Sequence, residues 1–173
     1  MRLFIAIRFP ENIKKALSDT AADLRRQGVR GNFSRSENLH LTLVFLGEVK
    51  SPEGVLKAVD RVSFTPVHLE LGEGGSFGDL YWVGLKESPE LEDYVKRLRT
   101  QLKKDGIWFD SKAFNPHITI LRKARSTEKI QLRIRNEAFT AAKVSLMKSE
   151  RVEGKLIYTE IYSKEAGCRE ARS

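Results

Sequence analysis

Residues 40–47 read HLTLVFLG and residues 115–122 read NPHITILR, so two of the three histidines stand in one frame of His, apolar, Thr, apolar. Successive side chains of a strand point to opposite faces. His40 and Thr42 therefore share one face while Leu41 and Leu43 turn to a core, and His117 and Thr119 repeat the arrangement over Ile118 and Ile120. A chain carrying both segments must back each strand with apolar packing on one side and leave an imidazole and a hydroxyl on the other. Pro116 restrains Asn115 to extended geometry and fixes the approach to the second motif.

The rest of the chain supplies that backing. RLFIAIRF (2–9) is apolar on both faces and reads as a central strand rather than a signal peptide. Ile13, Ala16, Leu17, Ala21 and Leu24 share a helical face that Gly28 ends. Ser51-Pro52-Glu53 and Ser88-Pro89-Glu90 both have the grammar of a helix start, a capping Ser with Pro at the first position. Val55, Leu56, Val59 and Val62 line the first of these helices; Leu91, Tyr94, Val95, Leu98 and Leu102 line the second, which Gly106 ends. HLEL (68–71) and LYWVGL (80–85) read as a hairpin around the Gly-rich turn EGGSFGD. Further strands follow at 117–121, near 141–148 and near 155–163, and a frayed tail is expected from Lys164. The order implies an α+β fold of largely antiparallel sheets with helices outside, one domain over residues 1–163, and a possible ancient duplication.

Histidine populates both acid and base near neutral pH, with an ordinary pKa of about 6.5. Two imidazoles facing one phosphorus could divide the work, one accepting a proton and the other donating it. Two threonine hydroxyls could hold the non-bridging oxygens between them. The set suits an in-line displacement at phosphorus. A net charge of +8 is compatible with an anionic partner such as RNA or a nucleotide, and equally with simple solubility. No apolar run approaches the ~20 residues of a membrane span. The single cysteine, Cys168, gives no disulfide framework, so the cytoplasm is the expected compartment and a monomer the expected state.

HLTLVFLG, FNPHITILR and the strand RLFIAI together resemble the two-histidine phosphoesterases. Within them the chain is most similar to the bacterial and archaeal RNA 2′,3′-cyclic phosphodiesterases, the ThpR or LigT-like branch once called 2′-5′ RNA ligases. The resemblance runs to about residue 163 and takes in SFGDLYWVGL, similar to a Phe-containing hairpin of the family, and SPELEDYVKRL, where the family has a helix. It implies a bilobal, pseudo-twofold α+β fold with a basic central cleft. It also implies hydrolysis of an RNA 2′,3′-cyclic phosphate to a 2′-phosphate, with neither metal nor cofactor. His40 would be the proton donor and His117 the proton acceptor; Thr42 and Thr119 would hold the phosphate. Arg122 would bind it too, and Phe45 and Phe77 are assigned to the substrate. Alternation alone turns Arg122 away from His117, so it reaches the cleft only if the strand ends, twists or bulges. Phe33 stands where the family often has Trp, and would stack a base if it faced the cleft.

Other features are read as structural. His68 is followed by Glu70 rather than Thr and is assigned no chemistry, and the Gly-rich turn lacks the ending of a phosphate-binding loop. Lys96, Arg97, Arg99, Lys103 and Lys104 form a solvated helix face, whereas Lys123 and Arg125, with Arg122, adjoin the second motif and could track a backbone. Trp82 and Trp108 are expected in the core or between lobes. Action on small cyclic nucleotides or 2′-5′ linkages, the reverse joining of RNA ends, and a non-catalytic nucleotide-binding module are the alternatives.

Overall fold

The computed structural model describes residues 1–167. Strand β1 (Arg2–Arg8) exposes only its end residues. Helix α1 (Glu11–Arg26) buries Ile13, Ala16, Leu17, Thr20 and Leu24, and closes where Gly28, at φ +86°, lets the Val29 N–H reach back to the Leu24 carbonyl at 3.1 Å. A short β2 (Arg30–Phe33) and a 3-10 turn (Ser36–Asn38) lead into β3 (His40–Glu48). Then come α2 (Glu53–Arg61), the hairpin β4 (Val67–Phe77) and β5 (Leu80–Leu85), α3 (Pro89–Lys104), β6 (His117–Arg125), β7 (Ala138–Ala141), β8 (Lys143–Val152) and β9 (Lys155–Glu165).

The strands form two antiparallel sheets, ordered β3-β1-β8-β9 and β2-β6-β5-β4-β7. Each sheet holds one His-x-Thr strand with its histidine as the first strand residue. The helices are exchanged: α1 follows a strand of the first sheet but packs on β6 of the second, while α3 follows the second sheet and packs on β3 of the first. One core cluster runs through both, from Leu3 and Leu41 to Val83 and Ile118. A smaller one, Phe4, Ala6 and Met147 with Phe45 and Tyr158 against it, lies on the His40 side of the first sheet.

Several local expectations are corrected. Of the two Ser-Pro-Glu segments, only the second caps as read: Ser88 Oγ accepts from the Leu91 N–H at 3.3 Å. In the first, Pro52 takes an αR conformation ahead of the helix and Ser51 makes no cap. Most of the Gly-rich segment is strand, not turn, because β4 continues to Phe77 and only Gly78 and Asp79 turn. Its glycines make room for an indole lying across the hairpin: a Cβ on Gly75 would stand 2.5 Å from the Trp82 ring. The tail does not fray from Lys164. Its ammonium donates to the carbonyls of Asp60 and Val62 at 2.6 and 2.9 Å, and Gly167 N–H donates to the Phe64 carbonyl at 2.7 Å. The remainder of that expected tail, with Cys168, lies outside the described residues. β2 and β7 escape a periodicity reading because each has only four residues.

Candidate active site

Both motifs are clamped in the same way. His40 Nδ1 lies 2.7 Å from the Asn38 carbonyl, and His117 Nδ1 lies 2.7 Å from the Asn115 carbonyl. A carbonyl only accepts, so Nδ1 carries the proton in each ring and Nε2 is left as the nitrogen that can take or give one. The approach segments Asn-Leu-His and Asn-Pro-His make this geometry local: the carbonyl comes from two residues upstream, ahead of the strand's first residue.

Both strands also bulge at the same place. On β3, Thr42 pairs with Ala6 and Val44 with Ile5, leaving Leu43 as the extra residue. On β6, Thr119 pairs with Trp82 and Leu121 with Tyr81, leaving Ile120 as the extra residue. Two consecutive side chains then bury on the core side, Leu43 with Val44 and Ile120 with Leu121, all at 2% exposure or less. The face of the next residue is inverted in each strand, Phe45 on β3 and Arg122 on β6. This overturns simple alternation for Arg122 and returns it to the side of His117. A further register shift against β2 follows at once, with Lys123 at φ +54° and the Gly31 position so tight that a Cβ would lie 2.8 Å from the Arg122 carbonyl. Phe45 is the equivalent residue of the first motif, five after His40, and its ring packs beside Phe4 and Tyr158.

The surroundings of the two rings differ. His40 sits 4.8 Å from the Phe4 ring and edge-on to Tyr158 at 5.0 Å. Its Nε2 is 2.9 Å from Thr42 Oγ1. Burial pushes its pKa below 6.5, the positive charges of Arg122 and His117 add to that, and the bond to the Asn38 carbonyl opposes it. Arg122 and His117 thus both stand close enough to His40 to act on its charge across the cleft. His117 lies edge-on to Phe77 at 5.5 Å, and Phe77 tilts against Trp82 at 5.3 Å. Among the described residues none bonds the Nε2 of His117. Thr119 directs its side chain to the same face, and its carbonyl accepts from Ser34 Oγ at 2.9 Å.

His40, His117 and Arg122 therefore lie near enough for their charges to act on one another, Phe77 stands against His117, and Phe45 packs on the His40 side of the first sheet. Phe33 is not among them: it pairs with Leu121 and is covered by the Arg25 guanidinium at 4.1 Å on the α1 side. Trp82 is half-buried beside His117 with its Nε1 unbonded among the described residues, whereas Trp108 is 66% exposed, against the expectation of a core or lobe-packing residue. His68 bonds Glu70 at 3.1 Å on the outer surface. Among the described residues no three His, Cys, Asp or Glu side chains cluster as metal ligands.

Sequence reading missed Phe4 and Tyr158, which wall in His40, and Arg8, which pairs with His40 across β1 and β3. Burial raises the Tyr158 pKa, against the pull of Arg122, Arg151 and Arg2. The alternation of IYTEIYS was its only signal.

The 2′-5′ RNA ligase superfamily model matches residues 9–153. The chain belongs to that superfamily. It is 35% identical over 131 residues to an RNA 2′,3′-cyclic phosphodiesterase of Thermotoga maritima, covering 70% of each chain. It is 28% identical over 165 residues to the RNA 2′,3′-cyclic phosphodiesterase of Escherichia coli, covering 92% of this chain and 93% of that one. The crystal structure of E. coli LigT complexed with 3′-AMP superposes with a TM-score of 0.82 at 28% identity, over 95% of this chain and 97% of that one. As a member of the superfamily, the chain has the two-sheet, three-helix α+β fold of the LigT structures. No helix among the described residues is long and apolar enough to cross a membrane.

Proposed function

We propose that the protein hydrolyses RNA 2′,3′-cyclic phosphate ends to 2′-phosphates, as a cytoplasmic monomer whose two motifs complete one site. The observation that carries the reading is the paired clamp, which leaves Nε2 of each imidazole as the working nitrogen. The relatives named RNA 2′,3′-cyclic phosphodiesterase support the substrate class. In this reaction a water oxygen attacks phosphorus while His117 Nε2 takes its proton. The P–O3′ bond breaks in line, and His40 Nε2–H protonates the departing oxygen. Thr42, Thr119 and Arg122 hold the non-bridging oxygens, and Phe77, 49% exposed beside His117, stacks the terminal base.

The acid role of His40 needs a charge that burial disfavours in the free protein. A bound phosphodiester anion supplies the remedy, because it offsets Arg122 and attracts a proton to His40. Each positioned proton transfer contributes about 10²–10⁴ in rate. The test is RNA bearing a 2′,3′-cyclic phosphate, incubated with and without EDTA, with the product mapped. A 2′-phosphate that forms in both supports the reading. A 3′-phosphate would place acid and base on the wrong sides, and no turnover would leave a binding module.

A further inference from the structure

Trp108 is among the large apolar side chains that the described fold leaves exposed, at 66%. An indole normally buries most of its surface. This one is exposed yet held. It lies over Gly47, where a Cβ would be 3.3 Å from Trp108 and 3.7 Å from the Phe45 ring. Gly47 has φ +66° and no side chain, so the backbone of β3 leaves room for the ring against it. The segment is pinned on both sides: Ile107 N–H donates to the Leu102 carbonyl at 2.9 Å, and Asp110 N–H donates to the Phe45 carbonyl at 2.9 Å.

The ring also adjoins the His40 side of the first sheet, through Gly47 and Phe45. Phe45 shares the His40 face, and the Arg2 guanidinium lies 4.8 Å over its ring. Glu48, the acidic group at this end, is already paired with the terminal ammonium at 3.3 Å. Along β1 the step from the partner of Thr42 to the partner of Gly47 is three residues, about 10 Å of strand. A stacked nucleic acid strand rises about 3.4 Å per nucleotide, so that span matches about three of them.

We propose that Trp108 is a stacking platform for a nucleobase of the single-stranded RNA upstream of the cyclic phosphate, with Arg2 and Phe45 forming the path from the catalytic cleft. This rests on the cyclic-phosphate reading and adds to it a preference for the end of a strand over a lone nucleotide. A flat, fixed indole beside a cation suits this occupant, since every base offers a π face and every link a phosphate.

The experiment compares adenosine 2′,3′-cyclic monophosphate with a tetranucleotide ending in a 2′,3′-cyclic phosphate. The intact protein favours the tetranucleotide in kcat/KM. Trp108→Ala lowers that preference about tenfold, through KM rather than kcat, and Trp108→Phe falls between. Binding of the 2′-phosphate tetranucleotide quenches tryptophan emission, and Trp108→Phe reduces the quench to the part that adenosine 2′,3′-cyclic monophosphate gives through Trp82 beside His117. A preference that survives Trp108→Ala, a wild type indifferent to length, or a quench undiminished in Trp108→Phe overturns the platform while leaving the hydrolytic reading intact. Failure of the wild type to hydrolyse either substrate, with the quench present and reduced in Trp108→Phe as described, sinks the hydrolytic reading and keeps the platform.

Discussion

Around His40 the walls are Phe4 and Tyr158, and Thr42 engages its Nε2; around His117 they are Phe77 and Trp82, and its Nε2 has no hydrogen-bond partner among the described residues. Five residues on, the first motif presents Phe45 and the second Arg122. Clamp, bulge and hydroxyl are common to both. Burial and the residue beyond the bulge are not. Two copies of one sequence frame can thus hold the same tautomer in different surroundings, because tautomer is set by a carbonyl two residues away and the walls by other strands.

The most severe way to break the comparison is to remove one ring at a time. His40→Ala and His117→Ala should each cost at least about 10²–10⁴ in cyclic-phosphate hydrolysis while circular dichroism and the unfolding midpoint stay near wild type. A wild-type rate in either variant ends the idea of a shared site. Arg122→Ala should lower kcat/KM about 10²-fold, as loss of a fixed donor to a reacting anion does. In the same variant the His40 pKa should rise, since a positive charge beside it is gone. Imidazole resonances followed through a pH titration would show this, and an unmoved His40 would mean that Arg122 does not face it.

A pH profile sharpens the contrast further. With His40 as acid, the alkaline limb of kcat should lie at higher pH than that of kcat/KM, because the bound anion restores the charge that burial opposes in the free protein. Coincident limbs would argue for the opposite assignment of roles. Tyr158→Ala opens one wall of the His40 pocket and should bring its pKa back up toward 6.5. The smallest effect is on stability. The folded pKa of His40 is below its unfolded value near 6.5, so its contribution is complete above that pH and is lost as pH falls through the folded value. Urea midpoints at pH 7.5 and 5.5 should differ less in His40→Gln than in the wild type.

Much of the fold was legible because alternation and helical spacing are local. β1, the faces of α1 and α3, and both His-x-Thr strands follow from which side chains recur at two or at three to four residues. The sites that escaped are those where packing overrides the local pattern. Gly74 and Gly75 look like a turn but make strand, with the Trp82 ring across Gly75 and the Leu132 and Ile134 side chains over Gly74. Phe33 looks like a stacking residue but is taken by Arg25 from α1, a partner no local pattern specifies. Tyr158 lies 118 residues beyond His40 and meets it only through β1 and β8.

By itself the sequence determined the chemistry available: two imidazoles, each with a hydroxyl two residues on and a carbonyl two residues back, all within reach of a single strand start. Only the tertiary structure decided what those groups confront. An extra residue at Leu43 and at Ile120 is a matter of pairing between strands, and it is pairing that turns Phe45 and Arg122 inward. The proton affinity of His40 likewise depends on rings and charges from β1, β6 and β9, which approach it only once the two sheets have closed.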